Sequence, residues 1–173
     1  MFRPAIACFA LVALAACDDQ VMVEPANSFH TDVRAVATQA RGEGDILLVI
    51  EGADSIGSPD AVRSAIRDAL QGRPGSVNPS YALDQDSAGQ TTSTVHIVLN
   101  GPKAMTGPDI CRGENAGSNR DNETRVALAF CQGERALSSV KGKAPKATGP
   151  DDPKFVELLQ TAGRELYPAP DRD

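Results

Sequence analysis

The sequence contains no tryptophan, and aromatic residues make up only 4% of it. Two of its five phenylalanines, Phe2 and Phe9, fall in the opening segment. A surface that stacks sugars or single-stranded bases needs aromatic faces, and this chain has few to offer. Its core must be aliphatic. Positive charge is also short: 17 Lys and Arg stand against 23 Asp and Glu, for a net charge of −6. A nucleic-acid binder gains affinity by neutralising phosphates, so no nucleic-acid partner is expected. The one basic cluster, Lys141, Lys143 and Lys146, reads as a solvated, loop-like stretch.

Catalytic motifs are missing as well. The chain has no H-E-x-x-H, no G-x-S-x-G, no phosphate-binding loop and no G-x-G-x-x-G. Its two histidines, His30 and His96, are isolated in the sequence. Ser138-Ser-Val-Lys141 matches S-x-x-K, but it falls in an expected strand and lacks the companion S-D-N and K-T-G elements. Asp84-Gln-Asp86-Ser-Ala88-Gly89 begins like a calcium loop, yet Ala88 replaces an oxygen ligand and Val95 stands where a bidentate Glu is required. It reads as a polar turn. Asn122-Glu-Thr124 spells a glycosylation sequon, which has no meaning in bacterial export. No cofactor or metal is expected, and the chain is not expected to be an enzyme.

What the chain does have is concentrated near its start. Ala5 to Ala16 is uncharged and apolar, and one arginine, Arg3, precedes it. A bilayer-spanning helix needs about 20 residues; an export-signal core needs about 7–15. The run then ends in Leu14-Ala15-Ala16-Cys17, followed at once by Asp18 and Asp19. This order resembles the lipobox of bacterial lipoproteins. The resemblance covers residues 1 to about 20. It implies that the Cys17 thiol takes a diacylglycerol, that the signal is cut before it, and that the new amine is often acylated. Ordinary cleavage after Ala13-Leu14-Ala15 is the alternative, leaving Cys17 in a soluble chain. Two or three acyl chains, at about 0.8 kcal/mol per buried methylene, hold a protein firmly on a leaflet. An Asp after the lipidated cysteine resembles the signal that keeps enteric lipoproteins in the inner membrane, so Asp18 favours the inner membrane, facing the periplasm, over the outer.

The four cysteines then sort by compartment. Cys8 leaves with the signal and Cys17 carries lipid, so Cys111 and Cys131 remain. In an oxidising compartment the simplest arrangement pairs them. A loop of about 20 residues closed in this way stabilises a fold by roughly 3 kcal/mol. Two unpaired structural thiols are the alternative. A redox pair or metal site is disfavoured, because there is no C-x-x-C and no nearby histidine.

Residues 17–31 read as a lipidated N-terminus and tether, 32–168 as one domain, and 169–173 as a tail. Asp32 to Gln39 alternates weakly and predicts a strand, followed by a turn at Gly42 and Gly44 and a buried strand over DILLVIEG. Ser58-Pro59 opens a helix with Val62, Ala65, Ile66, Ala69 and Leu70 on one stripe and a stop at Gly72. VNPSYALDQ predicts a short edge strand. TSTVHIVLNG predicts another, with Val95, Ile97 and Leu99 on one face and His96 and Asn100 on the other. TRVALAFC and RALSSVKG flank Gln132-Gly133-Glu134 as a hairpin. Asp152-Pro153 starts a final helix with Phe155, Leu158, Leu159, Ala162 and Leu166 inward. The expected fold is α+β: a two-layer sandwich of a mostly antiparallel sheet with two amphipathic helices on one face.

Three functions fit these readings. The first is a lipid-anchored accessory or assembly domain of the envelope, acting on a protein partner on the periplasmic side. The second is a small-ligand-binding lipoprotein with the 111–131 loop as a lid. The third is a hydrolase using His96 with a carboxylate.

Overall fold

Strand β3, Ile46–Glu51, is the first long strand, and its Ile46 and Leu48 side chains are fully buried. The computed structural model describes residues 20–25, 27–29, 32–71, 77–114 and 122–168. After a 3₁₀ turn at Ala53–Ser55, helix α2 runs from Pro59 to Leu70. Pro59 occupies its first turn and Asp60 follows, as the fixed proline φ and the helix dipole favour. Val62, Ile66, Ala69 and Leu70 are buried at helical spacing. The expected Gly72 stop lies outside the described residues. Helix α2 carries the chain back so that the strands after it, β4 (Tyr81–Ala82) and β5 (Ser93–Leu99), both run parallel to β3. A parallel return of this kind needs a long crossover, which the helix supplies.

The remaining pairings are antiparallel. Strands β6 (Glu123–Gln132) and β7 (Arg135–Pro145) form the expected hairpin, with Gly133 at φ 58° in the turn. Two short strands, β1 (Met22–Val23) and β2 (Asn27–Ser28), line the outer edge of β7. They lie within the stretch expected as tether. The mixed seven-stranded sheet has the order β1-β7-β6-β5-β3-β4, with β2 also on β7.

One expected strand is a helix. Residues Val33–Gly42 form α1, burying Val33, Ala37 and Ala40. Those positions repeat at i, i+4 and i+7, a helical stripe that the neighbouring Ala35 and Val36 disguise as alternation. Helix α4, Pro153–Glu165, follows the sequence closely: the Asp152 side chain accepts from the Lys154 amide at 2.9 Å. Phe155, Leu158, Leu159 and Ala162 face inward.

Helices α1, α2 and α4 therefore share one sheet face, where two helices were expected. Between helices and sheet lies the main core, with Val95, Ile97, Leu128 and Phe130 from the strands and Ile66, Phe155 and Leu158 from the helices. Tyr81 and Tyr167 hydrogen-bond each other at 3.1 Å in this core, and burial pushes Tyr81 up to about 12. Among the described residues, the opposite face carries one short helix, α3 (Gly107–Cys111), over a second, smaller buried cluster. The class is α+β.

Candidate functional site

Helix α3 is seated by three local devices. Thr106 and Asp109 form a capping box, with the Thr106 amide donating to Asp109 Oδ2 at 2.8 Å. Gly107 lies so close to β7 that an added Cβ would sit 2.9 Å from the Ser139 side chain and from the Phe29 ring. Cys111 is bonded to Cys131 of β6, with 5.7 Å between Cα atoms, so the expected pairing is present. Ile110, Ala129 and Cys131 fill the space beneath.

Beside α3 the sheet face opens into a groove of about 380 Å³. Its floor is apolar, with Val98, Met105 and Ala127, and Met22–Glu24 form one wall. The other wall is the turn after β5. Asn100 shapes that turn in the left-handed region, at φ 51°. Its amide donates to the Arg125 carbonyl at 2.9 Å, its Oδ1 accepts from the Arg125 amide at 3.0 Å, and its Nδ2 reaches Ser55 Oγ at 2.9 Å. The residue thus ends β5 and ties β6 and the 3₁₀ turn to the groove wall.

Among the described residues, four cations line the groove, Lys103, Arg125, Lys141 and Lys143, against one carboxylate, Glu24. Sheet register brings them together: Arg125 lies opposite Lys143, and Ala127 opposite Lys141. Lys141 Nζ also donates to the Lys103 carbonyl at 3.3 Å. Glu123 pairs with Arg125 through Nε at 2.6 Å and with Lys143 at 3.4 Å. The Arg125 hydrogen bond, assisted by Lys143, holds the Glu123 carboxyl below its usual range. In a chain of net charge −6, this is a local inversion of sign.

The groove escapes the sequence reading because Lys141, Lys143 and Lys146 read together as a solvated, loop-like stretch, although Lys141 also falls in the expected RALSSVKG strand. Lys141 and Lys143 lie in β7, alternating with Val140, Gly142 and Ala144, and this period-two pattern was legible. Lys103 and Arg125 had no sequence signal of their own. Lys146, just after β7, is exposed. Ser138, the other half of the S-x-x-K match, is buried on the helical side and donates to the Leu166 carbonyl at 2.6 Å. Ser138 and Lys141 thus take opposite faces. Asp84 accepts from the Ser87 amide at 2.8 Å, forming the expected polar turn. Among the described residues, no cluster of His, Cys, Asp and Glu could hold a metal, and no helix is long and apolar enough to cross a membrane.

His96 lies on the α3 face of β5, outside the groove, and its Nδ1 is buried without a hydrogen-bond partner among the described residues. Burial lowers its pKa, against opposing contributions from Glu51 and the Ile110 backbone. Among the described residues, no hydrogen bond joins it to a nucleophile. None of residues 111–114 lines the groove, so the start of the expected lid does not reach it. Cys17, Asp18 and His30 lie outside the described residues.

No protein-family model matches the sequence, and no curated protein matches it. Solved structures do. A PelC dodecamer from Paraburkholderia phytofirmans is 10% identical, covering 86% of this chain and 96% of its own, with a TM-score of 0.42. A variant PelC dodecamer from the same organism is 11% identical, with 86% and 97% covered and a TM-score of 0.43. Both likenesses are distant.

Proposed function

We propose that this chain is an envelope lipoprotein, anchored by acyl chains on Cys17, whose domain acts as an accessory or assembly module on the periplasmic side of a membrane. The observation that supports this reading most is the closeness of the lipobox-like Leu14-Ala15-Ala16-Cys17 to the edge of the sheet. Met22, the first residue of β1, follows Cys17 by five positions. Five residues span about 18 Å when fully extended. An acylated Cys17 would therefore hold the β1–β7 edge, and the groove beside it, against the leaflet. Asp18 favours the inner membrane over the outer.

Labelled palmitate tests the anchor. The expected result is incorporation into the wild-type protein and recovery in the membrane fraction, both lost in Cys17→Ser. Label retained by Cys17→Ser would overturn the reading. Separating inner from outer membranes for wild type and Asp18→Ser tests the sorting role, and an unchanged distribution would remove Asp18 from it.

A further inference from the structure

We propose that the groove between β1, β7 and the Gly101–Met105 turn binds phosphate headgroups of anionic phospholipids in the leaflet that holds the Cys17 anchor. This inference rests on the anchor reading and extends it from attachment to orientation.

Three features converge on a headgroup as occupant. The first is charge. Lys103, Lys141 and Lys143 present ammonium groups, and Arg125 a guanidinium, around one concavity of a protein whose net charge is −6. A molecule of net negative charge is repelled as a whole by an anionic leaflet, and a concentrated basic patch is the side it would present to one. The second is the apolar floor of Val98, Met105 and Ala127, which suits the glycerol end of a lipid better than a fully hydrated free anion. The third is the placement of exposed apolar side chains. Among the described residues, the exposed large hydrophobics are Met22, at 58%, and Phe29, at 47%. Both belong to the strap that follows Cys17, Met22 lines the groove, and Phe29 packs on Gly107 beside it. Apolar and basic groups side by side are what the membrane–water interface accommodates.

Chain length agrees. Residues 18–21 separate Cys17 from β1, so the wall formed by Met22–Glu24 cannot move far from the anchor. Glu123 pairs with Arg125 and Lys143, Glu24 lines the groove and Asp109 lies near Lys141, so these carboxylates offset part of the charge of the four cations.

The test uses the processed, full-length protein reconstituted into vesicles of phosphatidylcholine, alone or mixed with phosphatidylglycerol. An amine-reactive acetylating reagent is applied, and modification is read at each lysine by mass spectrometry. Lys103, Lys141 and Lys143 should react roughly fivefold more slowly on the phosphatidylglycerol vesicles, with Lys154 on α4 unchanged as internal reference. Raising the salt to about 1 M should remove the difference by screening. Equal rates on both vesicles would overturn the proposal. The same slowing by soluble glycerol phosphate on phosphatidylcholine vesicles would overturn the lipid assignment in favour of a free phosphate ligand. Protein that floats with neither vesicle would overturn the anchor itself, a failure distinct from an anchored protein whose groove stays open.

Discussion

Lys141 donates from Nζ to the backbone carbonyl of Lys103 at 3.3 Å, joining β7 to the turn after β5 across the groove. The contact places the Lys141 ammonium beside the turn that carries Lys103, so the two lysines report on the same wall of the groove. Reversing one side of it is therefore informative. In the double variant Lys141→Glu, Lys143→Glu, Lys103 should acetylate at the same rate on phosphatidylglycerol and phosphatidylcholine vesicles. Persistent protection of Lys103 would mean that these two lysines do not contribute.

The disulfide should carry much of the stability of the α3 face. Cys111 ends a helix of five residues, too short to hold itself, and Cys131 is fully buried. Replacing both by alanine should lower unfolding free energy by about 3 kcal/mol, seen as a lower urea midpoint. A change below about 1 kcal/mol would show that Ile110 and the capping box hold α3 without the bond.

Acid should weaken the protein through depressed carboxylates. The Arg125 hydrogen bond is the main reason Glu123 lies below its ordinary 4.5, with Lys143 adding to it. A group with a lowered folded pKa stabilises fully above the unfolded value, and the contribution is lost as pH falls through the folded value. Urea midpoints should thus hold down to about pH 5 and fall toward about pH 3, with a shallower fall in Glu123→Gln. Parallel profiles for the two proteins would exclude Glu123 as a source. At neutral pH the variant should lose about 1 kcal/mol.

Two backbone positions should be intolerant. Gly52 follows β3 at φ 75°, and an added Cβ would lie 2.5 Å from the Leu99 carbonyl oxygen, a backbone atom that cannot swing away. Gly52→Ala should cost more than about 1 kcal/mol. Asp152→Ala removes the α4 cap, where backbone amides of Thr148 and Lys154 hold the carboxylate below its usual range. It should cost about 1 kcal/mol. Thermal unfolding of both variants checks the pair.

Local signals along the chain marked α2, α4, β5 and the β6–β7 hairpin correctly, because each combines a strong period with caps or turn residues that act over a few positions. Helix α1 is hard to read from sequence because its buried stripe is only Val33, Ala37 and Ala40 in a helix of ten residues. Helix α3 left one legible trace, the Thr106–Asp109 spacing of a capping box. The parallel pairing of β3 with β5 follows from α2 between them, a consequence that an expectation of mostly antiparallel strands overlooked. The groove is another matter. Lys103 and Arg125 are distant in sequence from Lys141 and Lys143, and only strand register makes Arg125 the neighbour of Lys143. No local pattern could have joined them to Lys103.

Mass spectrometry of the mature N-terminal peptide tests the central claim most directly. The anchored account predicts a chain that begins at Cys17 and carries the mass of a diacylglycerol on its thiol, with or without an amide-linked acyl chain. An unmodified Cys17, or a chain that begins at any other residue, would contradict it.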